Sequence, residues 1–168
     1  MIVILMGVSG SGKTTIGHLL AGRLGWPFFD GDDFHPPANL NKMAAGIPLD
    51  DADREGWLSQ LAELIQSHLA ENRSMLLACS ALKKSYRRRL RLDPRRVRFI
   101  YLKGDYDLIQ SRMLERTGHY MKPAMLTSQF ADLQEPADAL VVGIAQPLDE
   151  SVEQILADLA GRAERTGE

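Results

Sequence analysis

Near the N-terminus the chain reads Gly7-Val8-Ser9-Gly10-Ser11-Gly12-Lys13-Thr14. The run satisfies G-x-x-x-x-G-K-[ST] at every fixed position. Glycines at 7, 10 and 12 free the backbone for conformations that a Cβ blocks, so successive N–H groups can converge on an anion. Those donors open a helix whose dipole adds attraction for negative charge. In such a P-loop, Lys13 bridges the β- and γ-phosphates of ATP and Thr14 ligates Mg²⁺ through its hydroxyl. Thr15 completes the expected ATP-binding set. A mere tight turn is the plainer reading. It loses because a buried-strand pattern precedes the loop and an amphipathic helix follows it.

Motors, switch GTPases and small-molecule kinases all use this loop. The Asn-Lys-x-Asp string of a guanine reader is missing, and the third strand pattern ends in Ala78-Cys79-Ser80 rather than in Asp. A carboxylate near the phosphates must then come from Asp30-Gly31-Asp32-Asp33, which directly follows a short apolar pair, Phe28-Phe29. Ligands of doubly wound sheets gather at the C-terminal ends of the strands. Asp32 is assigned to orient the acceptor hydroxyl and take its proton, and Asp30 to hold a Mg²⁺-bound water. An ordinary polar turn is the other reading of this cluster. A short chain with an arginine-rich lid resembles the nucleoside monophosphate kinase and shikimate kinase group.

The elements that must position these residues follow from the apolar pattern. Ile2 to Met6, Phe28-Phe29, Met75 to Cys79, Val97 to Leu102 and Leu140 to Ile144 read as strands of a parallel sheet. Between them run amphipathic helical stretches: Ile16 to Leu24, a short piece from Asn39 to Ala45, a long one carrying Leu58 to Leu69, and a last one with Val152 to Leu159. This alternation predicts an α/β fold: five parallel strands, helices on both faces and right-handed crossovers. One kinase domain over residues 1–168 is expected, with an acceptor-binding helical segment at about 33–70. The stretch from Arg116 to about Ser128 lacks the pattern and is expected to be a short lid.

Composition agrees. The 168 residues are 45% hydrophobic and 25% charged, with a formal net charge of −2, as in a globular protein with no general drive towards nucleic acid or anionic membrane. No apolar run reaches the roughly eighteen residues that span a bilayer, and one cysteine, Cys79, excludes an internal disulfide. A cytoplasmic protein is the simplest expectation.

Several long polar strings carry a closer resemblance. They are Asp30-Gly31-Asp32, His35-Pro36, Asn39, Lys42-Met43, Gly46, Pro48-Leu49, Asp51, Asp53-Arg54 and Trp57-Leu58. Further on come Cys79-Ser80-Ala81-Leu82-Lys83-Lys84, Tyr86-Arg87, Gly118-His119, Ser128-Gln129-Phe130 and Leu133-Gln134-Glu135-Pro136. Together they resemble the gluconokinase family from the P-loop to Gln146-Pro147-Leu148. The resemblance implies ATP-dependent phosphorylation of D-gluconate at its 6-hydroxyl, in a cytoplasmic protein that is commonly a homodimer. By analogy with related kinases, Arg112 is expected over adenine and Arg116 on the transferring phosphate. Gln146 and Pro147 would border the adenine edge through their backbone. Two solvated arginines beside Glu115 remain the other reading.

A polyhydroxy carboxylate needs cations and several hydrogen-bonding groups. His35, Lys42, Arg54, Lys83, His119 and Gln129 are the candidates, with Arg54 first because a guanidinium pairs bidentately with a carboxylate. Each has a plainer alternative: Arg54 paired with a first-turn aspartate, His35 capping a helix, Gln129 solvated. Tyr120 stands where the family often has Phe. The basic stretch from Lys83 to Arg98 has no aromatic interleaving for base stacking, so a solvated helix flank is preferred to a nucleic-acid site. A kinase for shikimate or another small hydroxy acid, and a nucleotide-binding regulator, stay open as alternatives.

Overall fold

The first apolar run forms β1 (Ile2–Met6), and all of its residues are buried. A strand covered on both faces belongs inside a parallel sheet. It pairs in parallel with β3 (Met75–Ala78) on one side and β4 (Val97–Lys103) on the other. Outside these lie β2 (Phe28–Asp30) and β5 (Leu140–Gly143), giving the order β2-β3-β1-β4-β5, parallel throughout. The computed structural model describes residues 1–115 and 123–166.

Seven helices fill the crossovers among the described residues: α1 (Lys13–Leu24), α2 (Pro37–Ala44), α3 (Asp51–Ala70), α4 (Lys84–Leu90), α5 (Tyr106–Glu115), α6 (Pro123–Asp132) and α7 (Leu148–Thr166). Alternate residues of β1 enter two cores. Ile2, Ile4 and Met6 pack with Trp57, Leu61 and Ile65 of α3, while Val3 and Leu5 pack with Ile16 and Leu20 of α1 and Ile155 of α7. The expected α/β fold with helices on both faces is therefore present.

Two starts matter for the site. α1 begins where the glycine loop ends, after Gly12 at φ 92°, a left-handed conformation that costs a Cβ-bearing residue strain. α3 begins with a reciprocal cap: the Asp53 N–H donates to Asp50 at 2.8 Å and the Asp50 N–H donates to Asp53 at 3.1 Å. That cap fixes Arg54 one turn into the helix.

Three features depart from the expected pattern. Residues 31–34, to which the apolar pattern assigns no helix, form a short 3₁₀ helix. The end of the expected lid is the start of α6, opened by Pro123 and anchored by buried Met125 and Leu126. The remainder of that lid, 116–122, lies outside the described residues, and with it Arg116, His119 and Tyr120. Finally, the basic stretch is a solvated flank only in part: Lys84, Arg88 and Arg95 are exposed, but others are not. Arg87 is buried and donates to the Ala81 and Leu82 carbonyls at 2.9 and 2.7 Å, Arg96 donates to Leu69, and Arg98 pairs with Asp158. These guanidiniums tie elements together.

Candidate active site

The C-terminal ends of β1, β2 and β3 open into a cleft of about 1080 Å³. Its floor is the glycine loop. Gly10 sits at φ 80°, and a Cβ there would lie 2.8 Å from Met113. The Lys13 ammonium arches back to the Gly7 and Val8 carbonyls at 3.0 and 2.9 Å. Enclosure lowers the Lys13 pKa, opposed by the charges of Asp32 and Asp30. Lysine and carboxylates thus share one field, beside the free N–H groups that a helix start leaves unpaired.

The carboxylates are set by β2 and the turn after it. Asp30 accepts from the Thr14 hydroxyl at 2.9 Å and from the Asp32 N–H at 3.1 Å. Gly31 is required here because a Cβ would meet the Ala78 carbonyl oxygen at 2.6 Å. The indole N–H of Trp57 donates to the Gly31 carbonyl at 2.7 Å and fixes the turn from the other side. Asp32 consequently projects into the cleft. Its side chain still meets solvent, being 81% exposed, but the surrounding protein costs it hydration. That loss raises its pKa above the ordinary carboxylate value, with Lys13 pulling the other way and Asp30 adding to the rise.

His35 stands behind Asp32. Its side chain is 5% exposed and stacks on Trp57 with ring centroids 4.4 Å apart. The Asn39 amide donates to the Asp53 carbonyl at 2.8 Å, and the same nitrogen lies 3.3 Å from His35 Nδ1. That contact leaves the ring proton on Nε2, which lies 3.9 Å from Asp32. Burial lowers the His35 pKa, so the ring is neutral at pH 7.

Arg54 of α3 is 14% exposed. Its Nη1 donates to the Tyr86 hydroxyl at 3.1 Å and lies 3.5 Å from Asp132 of α6. It lines the same cleft as Lys13 and Asp32. The alternative of Arg54 paired with a first-turn aspartate is not what the structure shows. The Tyr86 hydroxyl in turn donates to Asp51.

Of the residues singled out in the sequence, Ser9, Gly10 and Gly12 to Thr15 of the loop, with Asp30, Asp32, His35, Arg54 and Gln129, line one cleft. Others turn elsewhere. Lys42 bonds Asp53 at 2.6 Å, and Lys83 bonds Asp51 at 2.7 Å with Asp132 at 3.7 Å, so both cations hold the start of α3 rather than face the cleft. Gln129 lines the cleft and bonds the glycine loop. Its carboxamide accepts from the Ser9 N–H at 2.7 Å and donates to the Ser9 hydroxyl at 3.0 Å. Arg112 donates to the Ile144 carbonyl at 2.6 Å, joining α5 to the loop that carries Gln146 and Pro147. The Gln146 amide donates to Ser151 and Gln154.

Met43 and Leu49, noted in the sequence only for the resemblance, form an apolar wall with Met113 and Met125, which pattern reading missed. Such side chains look like ordinary core in sequence. Cys79 also reaches the cleft, but burial pushes its thiol up to about 12 and keeps it protonated.

Hydroxyl and carboxylate oxygens meeting at Thr14 and Asp30 form a hard donor pair, which fits Mg²⁺. Among the described residues no cluster of three or more His, Cys, Asp or Glu could form a cage of its own. A cation here would rely on phosphate oxygens and water as well. No helix among the described residues is long and apolar enough to cross a membrane.

Comparison with known proteins agrees with this geometry. Residues 9–160 match the family model described as shikimate kinase. The thermoresistant gluconokinase of Escherichia coli (strain K12) is 49% identical over 152 residues, covering 88% of this chain and 87% of that protein. The thermosensitive gluconokinase of the same organism is 50% identical over 133 residues, covering 79% and 71%. The crystal structure of a gluconokinase from Sinorhizobium meliloti 1021 superposes with a TM-score of 0.88 at 42% identity, covering 98% of this chain and 94% of that one. With the glycine loop and carboxylates in one cleft, these likenesses show that the chain is a kinase and belongs to the gluconokinases within the shikimate kinase family.

Proposed function

We propose that this protein transfers the γ-phosphoryl group of ATP to the 6-hydroxyl of D-gluconate, giving 6-phospho-D-gluconate and ADP. One observation carries the reading at the level of chemistry: Lys13, Asp30, Asp32 and Arg54 line a single cleft. The names of the curated relatives supply the acceptor.

In this mechanism the loop N–H groups from Gly10 to Thr15 and the Lys13 ammonium receive the phosphates. Lys13 leaves the Gly7 and Val8 carbonyls to do so. Mg²⁺, held by Thr14 and through water by Asp30, would neutralise charge on the β- and γ-phosphates. Arg54 pairs with the acceptor carboxylate and points the far end of the chain towards the loop. Asp32 accepts the proton of the 6-hydroxyl as that oxygen bonds to phosphorus and the bond to the ADP oxygen breaks. The neutral His35, with Nε2–H towards Asp32, orients the carboxylate from behind. Arg116 stabilises the transferring group, Arg112 and the Gln146-Pro147 segment border the adenine, and His119 joins the acceptor contacts. A cytoplasmic homodimer belongs to the same proposal, and sedimentation of the purified chain checks the dimer.

The test is ADP release by purified protein with ATP and Mg²⁺ over a panel of hydroxy acids. Gluconate is expected to give the highest kcat/KM. A higher kcat/KM with shikimate, or turnover only with another acid, overturns the assignment.

A further inference from the structure

Gln129 meets Ser9 with both ends of one planar group, and the two residues are 120 positions apart. Local turn chemistry therefore plays no part in the pairing. A carboxamide suits it because donor and acceptor are fixed side by side. Elsewhere in the loop's first arm the Gly7 N–H donates to the Ser80 carbonyl at 3.3 Å, Lys13 binds the carbonyls of Gly7 and Val8, and the Ser11 N–H donates to Val8 at 3.2 Å. At Ser9 a side chain from outside the loop fastens it, immediately before Gly10 with its left-handed backbone. Three residues further along α6, and so on the same helix face, Asp132 lies 3.5 Å from Arg54 and 3.7 Å from Lys83. One face of α6 thus touches the phosphate loop and the opposite wall of the cleft.

We propose that Gln129 is a positioning residue of the donor site: it holds Ser9, and with it the phosphate loop, in the receiving conformation, at a spacing from Arg54 that α6 sets. This rests on the phosphoryl-transfer reading above and replaces the expected acceptor role of Gln129. Without the amide, the loop samples conformations whose N–H groups no longer converge, so the nucleotide binds more weakly. The loss of two hydrogen bonds corresponds to about tenfold in affinity.

Full-length wild type, Gln129→Ala, Ser9→Ala, the double variant and Gln129→Glu would be compared by steady-state kinetics and by equilibrium binding of a non-hydrolysable ATP analogue with Mg²⁺. Gln129→Ala is expected to weaken analogue binding about tenfold and to lower kcat, with the KM for gluconate within about twofold of wild type. Adding it to Ser9→Ala should cost less than in the wild-type background, because the hydroxyl partner is already gone. Gln129→Glu can accept from both Ser9 groups, so a merely structural role predicts rescue. A donor-site role predicts that the new carboxylate, bordering the phosphates, weakens analogue binding while the melting temperature holds. Unchanged analogue affinity in Gln129→Ala overturns the inference, and so do strictly additive effects or full rescue by Glu. Should Gln129→Ala fail to fold, the Ser9→Ala and Gln129→Glu arms decide. If wild type binds the analogue but does not phosphorylate gluconate, the acceptor assignment falls and the binding arms still judge Gln129.

Discussion

The floor of the cleft draws on the consecutive residues 7–15, and the groups it offers a phosphate are mostly backbone. The opposite wall takes Asp32 from the turn after β2, His35 from the approach to α2 and Arg54 from α3, and these offer side chains. The first half is preorganised by conformation, with glycines at φ values that few other residues tolerate. The second is preorganised by pairing: Trp57 on Gly31, Asn39 on His35, Tyr86 and Asp132 on Arg54. A phosphate cradle can therefore be shared among kinases of many substrates, whereas the acceptor wall can be retuned one side chain at a time.

The largest break in this comparison comes from the residue that serves both halves. Lys13→Met is expected to lower kcat/KM about 10³-fold, as for loss of a charge aimed at the transition state. It should also remove the pull that Lys13 exerts on Asp32. Asp32 must be ionised to take a proton, so its raised pKa places the acid limb of kcat/KM above the usual carboxylate range, and rate is lost as pH falls through that value. With Lys13 gone the limb should move further up. A pH–rate profile of the residual activity reads this. A limb that stays still would mean that the two groups do not share a field.

Asp32→Asn comes next, with kcat reduced about 10²-fold and binding of the ATP analogue retained. The acid limb should vanish with it. Equal losses in kcat and in analogue binding would place Asp32 in the donor half and blur the division drawn above.

The two halves also differ in how far the sequence reveals them. The cradle is legible because its chemistry is contiguous, and β1 and the start of α1 frame it where the pattern predicts. The strands are legible to within a residue, as with β3, which ends at Ala78 rather than Cys79. The acceptor wall is legible in its residue types but not in their partners. Arg54, Lys42 and Lys83 are all cations in suitable segments. Only folding decides that one lines the cleft while the others meet Asp53 and Asp51. Gln129 shows the same limit, since its partner is far away in the chain. The start of α6 is hidden for another reason: Ala124, Thr127 and Ser128 dilute the apolar period that would announce a helix.

Arg54→Lys sharpens the contrast within the acceptor wall. The ammonium keeps the charge but loses the planar pair of donors, so the KM for gluconate should rise roughly tenfold with kcat little changed. The KM for ATP should not move. A rise in the KM for ATP alone would shift Arg54 to the phosphates.

The smallest effect is expected at Lys42, where the sequence and the structure differ most in what they suggest. Its ammonium lies against Asp53, the residue that also completes the cap at the start of α3. That contact holds the Lys42 pKa above its ordinary value and the Asp53 carboxyl below its own. A single ion pair open to solvent on the lysine side contributes little, and the cap survives without the lysine because the Asp50–Asp53 bonds are independent of it. Lys42→Ala should therefore change the KM for gluconate by less than about threefold and leave the KM for ATP unaltered. A loss as large as that of Arg54→Lys would mean that Lys42 exchanges Asp53 for the substrate carboxylate on binding, and that the wall is reorganised rather than ready-made.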